Sequence, residues 1–257
     1  MWASIVGAVV LQGAHRFGEL GTNAWQTVAA VCCALVAVAV PIVWLGSRRA
    51  LAGMGAVAVG TLALEAIASR TDFPFGPYDY TTSLQPQFFG VPVVVCLAWV
   101  VGGLLASGAA RFVVGSDTAR RSSMIRAAAC GLGLLAWDVA LDPHMILEGN
   151  WVWSGSDFFR TVPLENFVAW FVVGTAVGYI FDRTIPWLRL RADLYAYGYV
   201  WLIGSSALAF ATFLEDPIVG FASLAVGSPL LIGIAVRAAR ARASRSNAVA
   251  SGDGVAR

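Results

Sequence analysis

Read for hydrophobic against polar positions, the chain falls into long apolar stretches parted by short polar ones. About 20 apolar residues in a row is the length of a helix that crosses a bilayer. Such stretches recur at roughly 2–18, 24–45, 50–69, 88–112, 124–142, 162–182, 194–214 and 218–236. The first is the weakest, because Gln12, His15 and Arg16 interrupt it, and it reads as either a bent span or an interfacial helix. The pattern predicts an all-α integral membrane protein, a bundle of seven or eight transmembrane helices forming one polytopic domain over 1–236. Beyond it the tail 237–257 is polar and rich in small residues. It reads as a disordered, Arg-containing cytoplasmic segment able to touch anionic lipid.

Composition sharpens this. Charged residues are only 12% of the chain and hydrophobic ones 58%, against roughly 25% charged in a soluble domain. The 17 basic residues are all arginine. Without lysine there is no retinal or pyridoxal-phosphate Schiff base and no Walker-type phosphate loop. Cys32, Cys33, Cys96 and Cys130 all fall inside predicted spans as small buried hydrophobes, and no Cys/His spacing suggests a metal site. The N-terminus has no positively charged region or clear cleavage site and does not read as a signal peptide.

The charges also sort by side. Arg48 and Arg49, the group Arg111 to Arg126, the group Arg183 to Arg191 and the arginines of the tail fall at one end of the bundle. Only Arg16, Arg70 and Arg160 fall at the other. The positive-inside rule makes the first end cytoplasmic, with both termini there if the first span is real, in the cell membrane. Acids gather at the outer end: Glu19, Asp72, Asp79, Asp142, Glu148, Asp157, Glu215 and Asp216, with Glu65, Asp138 and Glu165 just inside it.

An ionisable group at membrane depth is a functional-site hypothesis by default. Glu65 closes an apolar run; it either reaches water beside Arg70 or faces the bundle, where poor solvation lets a carboxyl hold a proton. Asp138 and Asp142 stand four apart, so both face one side of their helix, which Pro143 is expected to end. Asp142 also reads simply as part of that helix stop. Pro163 suits the first turn of the next helix. Glu165 there suits the helix dipole, but Asn166 beside it has no such explanation. The loop SRTDFPFGPYDYTTSLQPQFFGVP holds four prolines and two glycines, so it reads as ordered, non-helical and strongly aromatic. It makes an interfacial belt, a lid or an apolar slot. NWVWSG reads as a short outer-surface strand or hairpin, with belt anchoring as the plain alternative for its tryptophans.

Together these residues outline a pocket near the outer surface. Glu65, Asp138, Asp142, Glu165 and Asn166 are its candidate catalytic groups. Phe75, Tyr78, Trp137, Trp153, Phe167 and Trp170 are its candidate substrate-binding walls. Basic residues are scarce there, so a phosphate substrate is not expected. Carboxylic acids suit protonation of an electron-rich double bond, and aromatic faces stabilise the cation that results.

EAIASRTDFPFGPYDY, FFGVP, AWDVALDP, the NWVW segment and VPLENFVAW together resemble the carotenoid biosynthesis membrane proteins. That group includes carotenoid 1,2-hydratases of the bisanhydrobacterioruberin hydratase kind. The resemblance covers the stretch from about Glu65 to Trp170. The group is also distantly similar to the membrane lycopene cyclases, which carry a PxEE motif where this chain reads Pro163-Leu164-Glu165-Asn166-Phe167. Asn166 in place of the second acid favours the hydratases. The resemblance implies cofactor-independent hydration of the terminal 1,2 double bond of a linear or monocyclic carotenoid. Asp138 or Glu165 would be the proton donor, water would be placed by a second acid or Asn166, and Glu65 and Asp142 would tune the pair. It implies a lipophilic carotenoid substrate and membrane lipid as partners, with other carotenoid pathway enzymes as further candidates, and no nucleic acid. A lycopene cyclase stays as the alternative, followed by a proton-coupled transporter.

Overall fold

The computed structural model describes residues 23–155 and 157–250. Among them seven helices are long and apolar enough to cross a membrane. They are α1 (Asn23–Trp44), α2 (Arg48–Thr71), α3 (Val93–Val114), α4 (Arg120–Leu147), α5 (Leu164–Thr184), α6 (Ala192–Thr212) and α7 (Pro217–Ala250). The predicted span 2–18, with Arg16 and Glu19, lies outside the described residues.

The bundle is built around α3, whose face from Val100 to Ala110 is continuously buried, and around the α4–α5 pair. Small residues let those two helices approach closely. A Cβ on Gly131 would stand 2.5 Å from the Phe171 carbonyl oxygen, and one on Gly178 would stand 2.9 Å from that of Ala127. Polar groups inside the bundle are answered by backbone carbonyls. Tyr195 donates to Val38 at 2.8 Å, Tyr199 to Gly133 at 3.2 Å and Ser223 to Ala136 at 2.7 Å.

Helix ends follow local chemistry. The Ser47 hydroxyl accepts from the Ala50 N–H and starts α2. Asp72, with φ 61°, ends it in the left-handed conformation while its N–H returns to Ala68. Three boundaries differ from the sequence reading. Pro143 does not end α4, which runs on to Leu147. A proline removes only its own N–H bond, and the ladder resumes beyond it, with the Glu148 N–H on the His144 carbonyl at 3.1 Å. The start of α3 falls at Val93 rather than near 88, because Gln87–Phe88 and Val91–Pro92 (β2 and β3) pair as a small antiparallel hairpin first. The predicted disordered tail is helical as far as Ala250. That segment is Ala- and Arg-rich with no glycine or proline before Gly252, a composition that favours helix; residues 251–257 lie outside the described ones.

The end of the bundle expected to face outward carries the remaining structure. Tyr78–Tyr80 (β1) pairs antiparallel with Trp151–Trp153 (β4), Tyr78 opposite Trp153 and Tyr80 opposite Trp151. Residues two apart share a face of a strand, so all four rings point inward, while Asp79 and Val152 point out. Two distant loops are thereby joined into one aromatic ribbon over the bundle. Gly76, with φ 99°, makes the turn into it; a side chain there would be strained and would also meet the Pro163 ring at 2.8 Å.

At the opposite end Asp182 of α5 lies between two arginines. Arg126 of α4 binds it through Nε at 2.6 Å and Nη2 at 2.9 Å, Arg111 of α3 at 3.2 Å, and Ser123 of α4 at 2.7 Å. Acids are therefore not confined to the outer end. Asp117, Asp182 and Asp193 stand at the arginine-rich one, each within hydrogen bonds of its own neighbours.

Candidate active site

Beneath the ribbon lies a cavity with about 640 Å³ of empty space, including its open mouth. That is the size range of small-molecule sites. Its walls are mostly apolar and aromatic: Phe75, Tyr78, Tyr80 and Trp153 from the ribbon side, and Trp137 and Trp170 from α4 and α5. Trp151, Leu84, Val94 and Met145 close another side. Among the described residues no basic side chain lines it, and the ionisable groups besides the two tyrosines are Glu65 and Asp142.

Asp138 and Asp142 do share one face of α4, one turn apart, and both are buried. Asn166, one residue into α5 beyond Glu165, meets them. Its Nδ2 donates to Asp138 Oδ2 at 2.9 Å and to Asp142 Oδ2 at 2.6 Å. The indole N–H of Trp151 donates to the other oxygen of Asp142 at 3.1 Å. Asp142 stands on the cavity wall, whereas Asp138 lies a turn deeper at 0% exposure. Its Oδ1 is buried with no hydrogen-bond partner among the described residues.

Glu65 enters from α2 and accepts three hydrogen bonds. Tyr78 and Tyr80 donate their hydroxyls to Oε2 at 2.5 and 2.9 Å, and Trp99 donates its indole N–H to Oε1 at 3.2 Å. Burial first, then the neighbouring Glu65 carboxyl, pushes the phenols of Tyr78 and Tyr80 well above their usual range. Both therefore act as neutral donors. Trp99 in turn stacks on Trp170 with ring centroids 3.9 Å apart, and Trp170 meets Trp137 edge-on at 6.4 Å.

Two expected site residues stand elsewhere. Glu165 is exposed, its side chain lying beside Gly76 outside the cavity. Successive residues of a helix are turned about 100° apart, so with Asn166 facing the acids its neighbour must face away. Phe167 is buried against Phe158 and Phe159 beneath the outer loop and does not reach the cavity wall. His144 sits beside Glu148 at 3.5 Å and does not itself line the cavity.

The sequence reading gives no role to Trp99 and leaves Trp151 in a short strand or hairpin, with belt anchoring as the plain alternative. A buried indole N–H needs an acceptor, so a tryptophan in the apolar stretch after the loop and an acid in the one before it were a pair to suspect. Tyr80 had the same signal as Tyr78, two residues away on the same strand face.

The arrangement offers two carboxyl groups on the wall of an uncharged aromatic slot, one backed by a buried acid–amide pair. A family model described as "Carotenoid biosynthesis protein" matches residues 25–236. A curated relative, the bisanhydrobacterioruberin hydratase of Haloarcula japonica, is 28% identical over 169 residues, covering 62% of this chain and 53% of that one. The chain thus spans about half the length of the curated relative it matches. No solved structure matches.

Proposed function

The chain belongs to the carotenoid biosynthesis protein family, and on that premise we propose that it hydrates a carotenoid end group: acid protonation of the terminal 1,2 double bond, then addition of water at C1. The observation that carries this reading is Asp142, one of two carboxyls, with Glu65, on the wall of a cavity that is otherwise mostly apolar and aromatic and has no basic side chain among the described residues. Such a wall suits a hydrocarbon and disfavours a phosphate or carboxylate substrate. The relative named as a hydratase supports the same reaction class.

Asp142 gives its proton to the double bond, leaving a tertiary cation at C1. Asn166, itself anchored on Asp138 Oδ2, holds Asp142 in place and stabilises the carboxylate it becomes by donating from Nδ2 to Asp142 Oδ2. The faces of Trp137, Trp153 and Trp170 shield the cation, since aromatic rings attract positive charge without reacting with it. Glu65, fixed by its three donors, supplies a compensating carboxylate across the cavity and takes the proton that water loses on bonding to C1. One water is added, the two carboxyl groups exchange roles as donor and acceptor, and a proton passes back through solvent. No cofactor enters the balance.

The test is expression in cells that accumulate lycopene, with mass spectrometry of the extracted pigments. A gain of one or two waters with the linear chromophore kept supports hydration. Unchanged mass with a blue-shifted spectrum means cyclisation and overturns it. If lycopene is untouched, the same assay on C50 and monocyclic precursors decides; no water added to any of them overturns the proposal.

A further inference from the structure

A second cavity opens at the opposite end of the bundle, and nothing in the hydration reading uses it. It has about 1040 Å³ of empty space, including open solvent. Arg49, Arg111, Arg126, Arg183 and Arg189 line it together with a single acid, Asp182. Five guanidinium groups against one carboxylate leave an excess of four positive charges around one hollow.

The arginines fall into two classes. Arg126 and Arg111 are largely buried and committed to Asp182, and Arg126 also donates to the Asp117 carbonyl at 2.8 Å. They form a rigid positive floor. Arg49, Arg183 and Arg189 are exposed around the rim. The guanidinium groups of Arg49 and Arg189 have no hydrogen-bond or ion-pair partner among the described residues, and that of Arg183 lies over the Tyr179 ring at 5.1 Å. Guanidiniums gathered with their donors unspent are matched to the oxygens of a phosphate group.

The fourth wall is apolar. It is the short linker between α5 and α6, where Trp187 is buried and Leu188 is 78% exposed. A linker leucine exposed beside unpaired arginines at the end of membrane-crossing helices sits where lipid acyl chains meet their headgroups. Basic pockets between transmembrane helices are places where anionic headgroups bind.

We propose that this arginine-lined cavity binds the phosphate of an anionic membrane lipid, with Arg49, Arg183 and Arg189 contacting the phosphate and Leu188 the start of the acyl region. The Asp182 clasp holds α3, α4 and α5 in the positions that shape the floor. The bound lipid is a structural ligand, not a substrate; the site shares no residue with the aromatic cavity.

The full-length protein in neutral detergent would be titrated separately with dioleoyl phosphatidylglycerol, dioleoyl phosphatidylcholine and inorganic phosphate, following its thermal unfolding. Phosphatidylglycerol is expected to stabilise it saturably and phosphatidylcholine not. Each basic residue near a lipid surface contributes about fivefold in binding, so Arg49→Gln/Arg183→Gln/Arg189→Gln should raise the midpoint on the order of a hundredfold. Arg70→Gln/Arg160→Gln, at the opposite end of the bundle and outside the cavity, should leave it unchanged. Saturation by inorganic phosphate at the same concentrations keeps the phosphate site and assigns its source to solution rather than lipid. Equal response to both lipids, an unmoved midpoint in the triple variant, or an equal loss in the control pair overturns the site.

Discussion

At the scale of single residues, Asp142 and Glu165 are the sharpest contrast. Both are acids near the outer end, and a sequence reading ranks Glu165 at least as high because it sits in the recognisable VPLENF segment. Geometry separates them: Asp142 lines the cavity and Glu165 faces away from it. Removing a general acid costs about 10²- to 10⁴-fold in rate, so Asp142→Asn should lower carotenoid hydration by that much while Glu165→Gln stays within about threefold of the parent. Product yield per amount of membrane-inserted protein measures both, and equal losses would remove Asp142 from its role. The tyrosines give a second prediction. Tyr78 and Tyr80 keep their protons in the folded chain above the pH of about 10 at which a free tyrosine ionises. Their contribution to stability is complete below about pH 10 and is lost as pH climbs toward their folded-state values. Unfolding temperature in detergent should therefore fall above about pH 10, and Tyr78→Phe/Tyr80→Phe should flatten that fall; an unaltered slope would sever the phenols from it. The pairing of these phenols with Glu65 was not legible beforehand, because sequence gives a helix acid and a loop aromatic no common frame.

Among the elements, what the sequence showed and hid divides by the range of the interaction. Span positions follow from apolar runs, a local property, and α1, α2, α5 and α6 fall within a few residues of the expected stretches. The two acids of α4 lie on one face because four residues make about one helical turn, which is equally local. The β1–β4 ribbon is not: it joins residues 78–80 to 151–153, and neither strand holds any mark of the other. Its alternating rings looked like a surface belt until the pairing turned them inward. The Asp182 clasp is likewise non-local, tying α3, α4 and α5 through one carboxylate. Breaking a buried ion pair by removing one partner costs about 3–5 kcal/mol. Asp182→Ala should accordingly lower the unfolding temperature in detergent well below that of the exposed-site variant Asp79→Ala, and parity between the two would show the clasp to be dispensable.

For the whole molecule, the two ends are chemically unlike. One holds an uncharged aromatic cavity with acids, the other a guanidinium-lined hollow, and the buried face of α3 runs between them. The arginine excess that the positive-inside pattern would assign to the cytoplasm coincides with the second cavity, where the lipid phosphate is proposed to bind. Among the described residues the aromatic cavity lies at one end of the bundle. A linear carotenoid has two ends, and one cavity can hold one of them. On the proposed hydration, the pigment would have to leave, reverse and return before its second end reacts, which predicts distributive turnover. A time course on a substrate with two reactive ends should pass through a pool of singly hydrated pigment that rises first and is drawn down later, its height set by competition with fresh substrate. Doubly hydrated pigment forming from the outset, with no such pool, would mean that two chains share one molecule.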